Sequence, residues 1–300
     1  MNLDKFILAS LNGGLGNQIF QYAHARAHAA KNNVPLYFDL SFFNQEFITD
    51  TPRVYLLDQY SIFGTAIPEK LADKYRPIPS TGWRHRLASR FPKIFSSKNI
   101  NCIGEQSFSY NPVLIDRWPV QLKGYWQSEK YFLYIRDQLI NEISLKQLPN
   151  AENLGWLRKI TSCDSICLHV RRGDYVTNPA ASKTHGLCGI DYYQKAIINL
   201  GEKIPAGEFF VFSDDLQWSK DHLKFTHPSH FVDCNPPDKG PEDLRLMQNC
   251  KHFITANSSF SWWAAWLGQN PFKIVISPTK WFATGNYDTS DLYPSTWIRL

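Results

Sequence analysis

Short continuous apolar runs alternate along this chain with stretches whose apolar residues recur at helical spacing. Residues 5–11 (KFILASL) predict a short buried strand, and the NGGLG that follows predicts a tight turn. Residues 17–32 come next, with Ile19, Phe20, Ala23, Ala27 and Ala30 marking one face of a helix. Residues 34–40 (VPLYFDL) predict a second strand, which completes a βαβ unit within about 35 residues. Between residues 61 and 150 the pattern is broken by prolines at 68, 77, 79, 92, 112 and 119, although 120–126 predict a strand and 128–144 a helix. Beyond residue 150 the alternation is regular. Strands are predicted at 165–170, 209–213, 230–234, 252–256 and 273–277, with helices at 191–204, 215–223, 241–250 and 259–268. Such an order implies a parallel sheet covered by helices on both faces.

A chain of 300 residues exceeds the size at which a single core usually stops growing. The expectation is therefore an α/β protein of two Rossmann-like domains, residues 1–150 and 151–300, facing a cleft. Ligands of such sheets bind beyond the carboxyl ends of the strands. HVRRGDY (169–175), FSDD (212–215) and NSSFSWW (257–263) then belong on the cleft rim.

Composition narrows the partners. The net charge of +5 favours an anionic ligand only mildly, and the basic residues are scattered rather than run together, which argues against a nucleic-acid surface. The first apolar run is too short for a signal peptide, and no 18-residue apolar run occurs, so a cytoplasmic protein without a transmembrane segment is expected. Peripheral contact with an inner membrane stays compatible with that expectation. Six cysteines without a CxxC pair read as reduced, mostly buried thiols. No HExxH, GxSxG or Walker A motif is present, and His24 with His28, one helical turn apart, lack a third ligand; no metal is expected.

The rim residues carry the chemistry. Arg171 directly follows a strand, and its planar guanidinium can donate two parallel hydrogen bonds to a phosphate at any working pH. Arg172 should point the other way by alternation, with Asp174 the natural partner to hold one of the two. Asn257, Ser258 and Ser259 lie where a strand meets an aromatic-rich helix, a place where free N–H groups and hydroxyls bind anions or merely cap the helix. Trp262, Trp263 and Trp266, at helical spacing, read as core. NGGLGNQ supplies GxG at Gly14 and Gly16, but Ile19 stands where a dinucleotide fingerprint needs its third glycine. Asp39, near the end of the next strand, keeps a dinucleotide reading open.

Four segments together resemble the α-1,2-fucosyltransferases of glycosyltransferase family eleven, in their bacterial form: GGLGNQIFQYAHARA (13–27), HVRRGDY, FSDD, and DLRLMQNCKHFITANSSFSWWAAWL (243–267). The resemblance implies a GT-B architecture, GDP-fucose as donor, and metal-independent inverting transfer to the 2-hydroxyl of a galactose-terminated oligosaccharide or lipid-linked glycan. It implies that Arg171 holds the pyrophosphate and is the catalytic cation, with His169 beside the ribose or guanine and Asp243 reading guanine. Ser258, Ser259 and Phe260 would complete the phosphate and ribose contacts, while Gly14, Gly16, Asn17 and Gln18 close over the fucose. Asp39, Glu105, Glu129 and His24 are each conceivable as the base, and no spacing singles one out. Two other classes compete: an NAD-type oxidoreductase using the glycine loop, and a lectin-like carbohydrate module using the aromatics.

Overall fold

The strand segments are short and apolar enough to be buried on both faces, and they assemble into two parallel sheets. A computed structural model describes residues 4–44, 53–75, 100–178, 182–184 and 186–300 of the chain. The first sheet contains β1 (Ile7–Ser10), β2 (Leu36–Asp39), β3 (Thr65–Ala66), β4 (Asn101–Gly104) and β5 (Val120–Lys123), in the order β3-β2-β1-β5-β4. The long helix α1 (Leu15–Asn32) links β1 to β2 and ends at Asn33, which adopts the left-handed conformation (φ 50°) suited to a helix C-terminus. The prolines at 77, 79 and 92 fall outside the described residues.

A helix predicted over 128–144 forms only at its end, as Arg136–Glu142 (α2), after two 3-10 turns at Glu129–Tyr131 and Leu133–Ile135. Between the turns Phe132 leaves helical geometry (φ −142°, ψ 4°), and its ring is fully buried against Trp263, 5.3 Å between centroids. Burial of one aromatic ring thus overrides the local helical pattern.

The second sheet follows the predicted alternation closely. It runs β11-β10-β9-β6-β7-β8, where β6 is Asp164–Val170, β7 Gly207–Ser213, β8 Ser229–Phe231, β9 His252–Ile254, β10 Val275–Ser277 and β11 Ile298–Arg299. Every pairing in both sheets is parallel. Helices α3 (Ala151–Ser162), α4 (Ile190–Lys203), α5 (Leu216–His222), α6 (Gly240–Gln248) and α7 (Ser259–Leu267) cover it. A continuous apolar core joins the halves where α1 meets α7, with Phe20 4.5 Å from Trp262 and 4.9 Å from Trp263. Trp262, Trp263 and Trp266 are core residues, as their spacing predicts. All six cysteines are free, but only Cys167 and Cys250 are buried and Cys102 is exposed, so the expectation of mostly buried thiols is corrected. Among the described residues, no helix is long and apolar enough to cross a membrane.

Candidate active site

The second sheet is wound outward from β6 on one side and from β9 on the other, so its strand order reverses between β6 and β9. Chains leaving neighbouring strands there depart to opposite sides and leave a crevice. In the first sheet β1, β2 and β3 step outward, whereas β4 lies at the far edge and precedes β5, which returns beside β1. The crevice and the segments that follow β1 and β5 open on one cleft of about 1210 Å³.

β6 and β7 pair in register with His169 opposite Phe212 and Val170 opposite Ser213. Two residues further on, Arg171 meets Asp214 and Arg172 meets Asp215. Arg171 Nη1 lies 2.7 Å from Asp214 Oδ2, and Arg172 Nε lies 3.1 Å from Asp215 Oδ2. The Arg172 backbone N–H also donates to Asp214, and its guanidinium sits 4.1 Å from the centroid of the Trp218 ring. FSDD therefore clamps both arginines; the side chain of Asp174, the expected partner, lies outside the described residues. Arg171 lines the cleft and Arg172 does not, in agreement with the alternation argument.

Across from the arginines stands the N-terminus of α7. Ser258 is its N-cap residue, yet its hydroxyl makes no capping bond. Ser261 does the local work instead: its hydroxyl accepts from Ala256 N–H and lies within bonding distance of the Ala256 and Ser258 carbonyls. Ser258 and Ser259 both line the cleft. Lys273 Nζ donates to the Ala265 and Gly268 carbonyls at the far end of α7, where a cation complements the helix dipole.

The glycine loop serves this arrangement more by shape than by contact. Gly13 takes φ +72°, a conformation that favours glycine. At Gly16 a Cβ would fall 2.5 Å from the Phe260 nitrogen, so glycine is required for α1 to approach α7. Asn17 lines the cleft and accepts a hydrogen bond from Gln127, which arrives from the end of β5. Gln18 corrects its expected role. It is fully buried, donates to the Gly13 and Val54 carbonyls and accepts from Leu56 N–H, so it ties down residues 54–56 rather than touching a ligand.

At the other end of the cleft Asp243, on α6, is pushed up to about 6, chiefly by burial, and accepts from Asn235 Nδ2 at 2.8 Å. Asn235 is itself clasped by Asn153 through two reciprocal amide bonds of 2.9 Å. His169 is buried and lowered to about 4 by desolvation, so its imidazole is neutral at working pH. Its ring centroid lies 5.6 Å from that of Phe260.

Nine of the ten donor-site residues expected from the sequence thus line one cleft, Gln18 being the exception. None of the four conceivable bases does. His24 is buried and stacked on Trp126, Glu105 accepts from Tyr125 and Trp126 N–H, and Glu129 accepts from Trp266. Asp39 holds the Ser41 N–H. The carboxylates that line the cleft are Asp214, Asp233, Asp238 and Asp243. Arg53, Phe108, Tyr125, Gln127 and Phe282 line it too and went unnoticed in the sequence, because they sit in irregular segments without a motif. Among the described residues no group of three or more His, Cys, Asp or Glu side chains could hold a metal ion.

Two parallel sheets flanked by helices, with the segments that follow their central strands on a shared cleft, make this a GT-B-type fold. POFUT1 in complex with GDP is a structural neighbour, with a TM-score of 0.53 at 14% identity, covering 92% of this chain and 99% of that one. Residues 6–300 match Glycosyl transferase family 11, and the chain belongs to that family. It is 34% identical to an Alpha-1,2-colitosyltransferase of Escherichia coli, over 99% of both chains. It is also 23% identical to the Galactoside alpha-(1,2)-fucosyltransferase 2 of Oryctolagus cuniculus, over 90% of this chain and 73% of that relative. The protein is a glycosyltransferase.

Proposed function

We propose that the protein transfers L-fucose from GDP-fucose to the 2-hydroxyl of a galactoside, inverting the anomeric carbon and using no metal. The observation that carries this reading is Arg171, held by Asp214 at the switch point and lining the same cleft as Ser258, whose hydroxyl makes no capping bond, and Ser259. The acceptor oxygen attacks the anomeric carbon from the face opposite the diphosphate. The bond from that carbon to the diphosphate oxygen breaks, and its electron pair leaves with GDP. Arg171 and the N–H groups at the start of α7 take the growing charge without reorganising. Asp243 accepts from the guanine N–H groups. The proton of the acceptor hydroxyl is released to water in the open cleft, since the diphosphate departs on the opposite face, and no protein base is nominated.

The similarity to a colitosyltransferase favours a second donor, a GDP-linked 3-deoxy counterpart of fucose, read by the same phosphate and guanine contacts. The oxidoreductase reading is not favoured, since the space beside Gly16 that a dinucleotide's pyrophosphate would approach is filled by the backbone of Ser259 and Phe260. Thermal-shift titration with GDP, UDP and NAD, each with and without EDTA, tests the donor class. The expected result is stabilisation by GDP alone, unchanged by EDTA; stabilisation by NAD instead would sink the proposal. Transfer from GDP-fucose and from GDP-colitose to methyl β-galactoside then separates the two donors.

A further inference from the structure

Beyond the donor contacts the cleft continues to a cluster of aromatic rings that the preceding chemistry does not use. Phe108 and Phe282 line it, 5.2 Å apart between centroids. Tyr287 stands against both, at 4.7 Å from Phe282 and 6.3 Å from Phe108, and keeps 55% of its surface exposed. The placement is built rather than incidental. Gly285 turns the chain with φ +92°, and a Cβ there would strike the Tyr287 ring at 2.5 Å, so this glycine is what lets the ring fold back over Phe282.

The cluster draws on both halves of the chain. Ser109 Oγ donates to Asp288 at 3.2 Å and Tyr110 N–H to Asp291 at 2.8 Å, while Lys130 pairs with Asp291. These bonds fix residues 107–110 against 281–291. They also fix the distance from the donor site, because the Trp281 carbonyl accepts from Asn257, the neighbour of Ser258. A sugar leaving the diphosphate must meet its acceptor within about one ring length, so the acceptor has to bind in the same cleft as the donor.

We infer that Phe108, Phe282 and Tyr287 form the acceptor platform, taking the apolar C–H face of a pyranose ring of the acceptor glycan. The inference rests on the proposed transfer reaction. Aromatic faces suit such a ligand because a pyranose carries C–H groups on one face and hydroxyls at its rim, and Tyr125 and Gln127 line the same cleft as polar partners.

The test uses the full chain saturated with GDP. Binding of methyl β-D-galactopyranoside is followed by saturation-transfer NMR with irradiation of aromatic protons, alongside a GDP thermal-shift titration. In the wild type the ring protons of the sugar should receive saturation. Tyr287→Ala should weaken galactoside binding about ten-fold, Tyr287→Phe should restore it, and both should bind GDP as the wild type does. An unchanged galactoside Kd in Tyr287→Ala overturns the platform, as does a parallel fall in GDP affinity, which would mean that the rings serve the donor. The same holds if the GDP-bound wild type fails to bind both the galactoside and methyl β-N-acetylglucosaminide. Failure of the donor reading is distinct: GDP then does not stabilise the wild type at all.

Discussion

The two walls of the cleft stand on parallel sheets of different strand order and differ in what they deliver to it. At the β6/β9 crevice the chain presents side chains: a guanidinium clamped by a carboxylate, a Ser258 hydroxyl that makes no capping bond and a neutral buried imidazole. Beyond β1 and β5 it presents mainly shape, with Gly16 allowing α1 to touch α7, Gln18 tethering residues 54–56 and Gln127 steadying Asn17. A charge that must meet a phosphate has to be held still, and adjacent strands in register are a stiff way to hold it. An opposing wall needs only to come close. Glycine therefore appears on one side and paired charges on the other, although both loops look like phosphate binders in the sequence.

Four changes would break or sharpen that contrast. The largest effect belongs to Arg171. Replacing it by Ala or Lys should reduce kcat about 10²- to 10³-fold, the equivalent of about 3–4 kcal/mol, with the melting temperature nearly unchanged. Full activity in Arg171→Ala would end the catalytic assignment. On the opposing wall, Gly16→Ala should act through packing, lowering stability by about 1–3 kcal/mol and weakening GDP binding as α1 is forced from α7. An unshifted melting curve would show that α1 does not need that approach.

A smaller loss tests the clamp itself. Arg172→Ala or Asp215→Ala should cost about 1–2 kcal/mol in a denaturant titration, the latter also removing the cap that holds Trp218 N–H. Residual kcat below the melting range should stay far above that of Arg171→Ala, and equal losses would give Arg172 a direct role. The smallest effect is in pH. Burial raises Asp243 to about 6, so its ionisation costs folding stability, which is greatest below the ordinary carboxylate range and is lost as pH rises toward 6. GDP binding runs the other way, because the guanine N–H groups need the carboxylate. Affinity for GDP should fall on acidification through about pH 6, and Asp243→Asn should flatten that profile; a wild-type profile without an inflection would remove Asp243 from base recognition.

Much of this was legible in the sequence where local pattern and tertiary role coincide. The strands at 165–170 and 209–213 could be read because both their faces are buried, and Arg171 because it directly follows one of them. Phe132 could not be read, since its departure from the helix is dictated by Trp263, over one hundred residues away in the chain. Asp215 reaches Arg172 through strand register, which no local spacing announces. Gln18, inside the most motif-like segment, carries no mark that separates a tether from a ligand contact.

By itself the sequence determined the order of most strands and helices and the parallel second sheet, because apolar periodicity and residue type are local properties. Only the tertiary structure decided which carboxylate of FSDD holds which arginine, why Gly16 is a glycine, and which irregular segments join the cleft. Those are questions of register and close approach between segments far apart in the chain, and no local pattern encodes them.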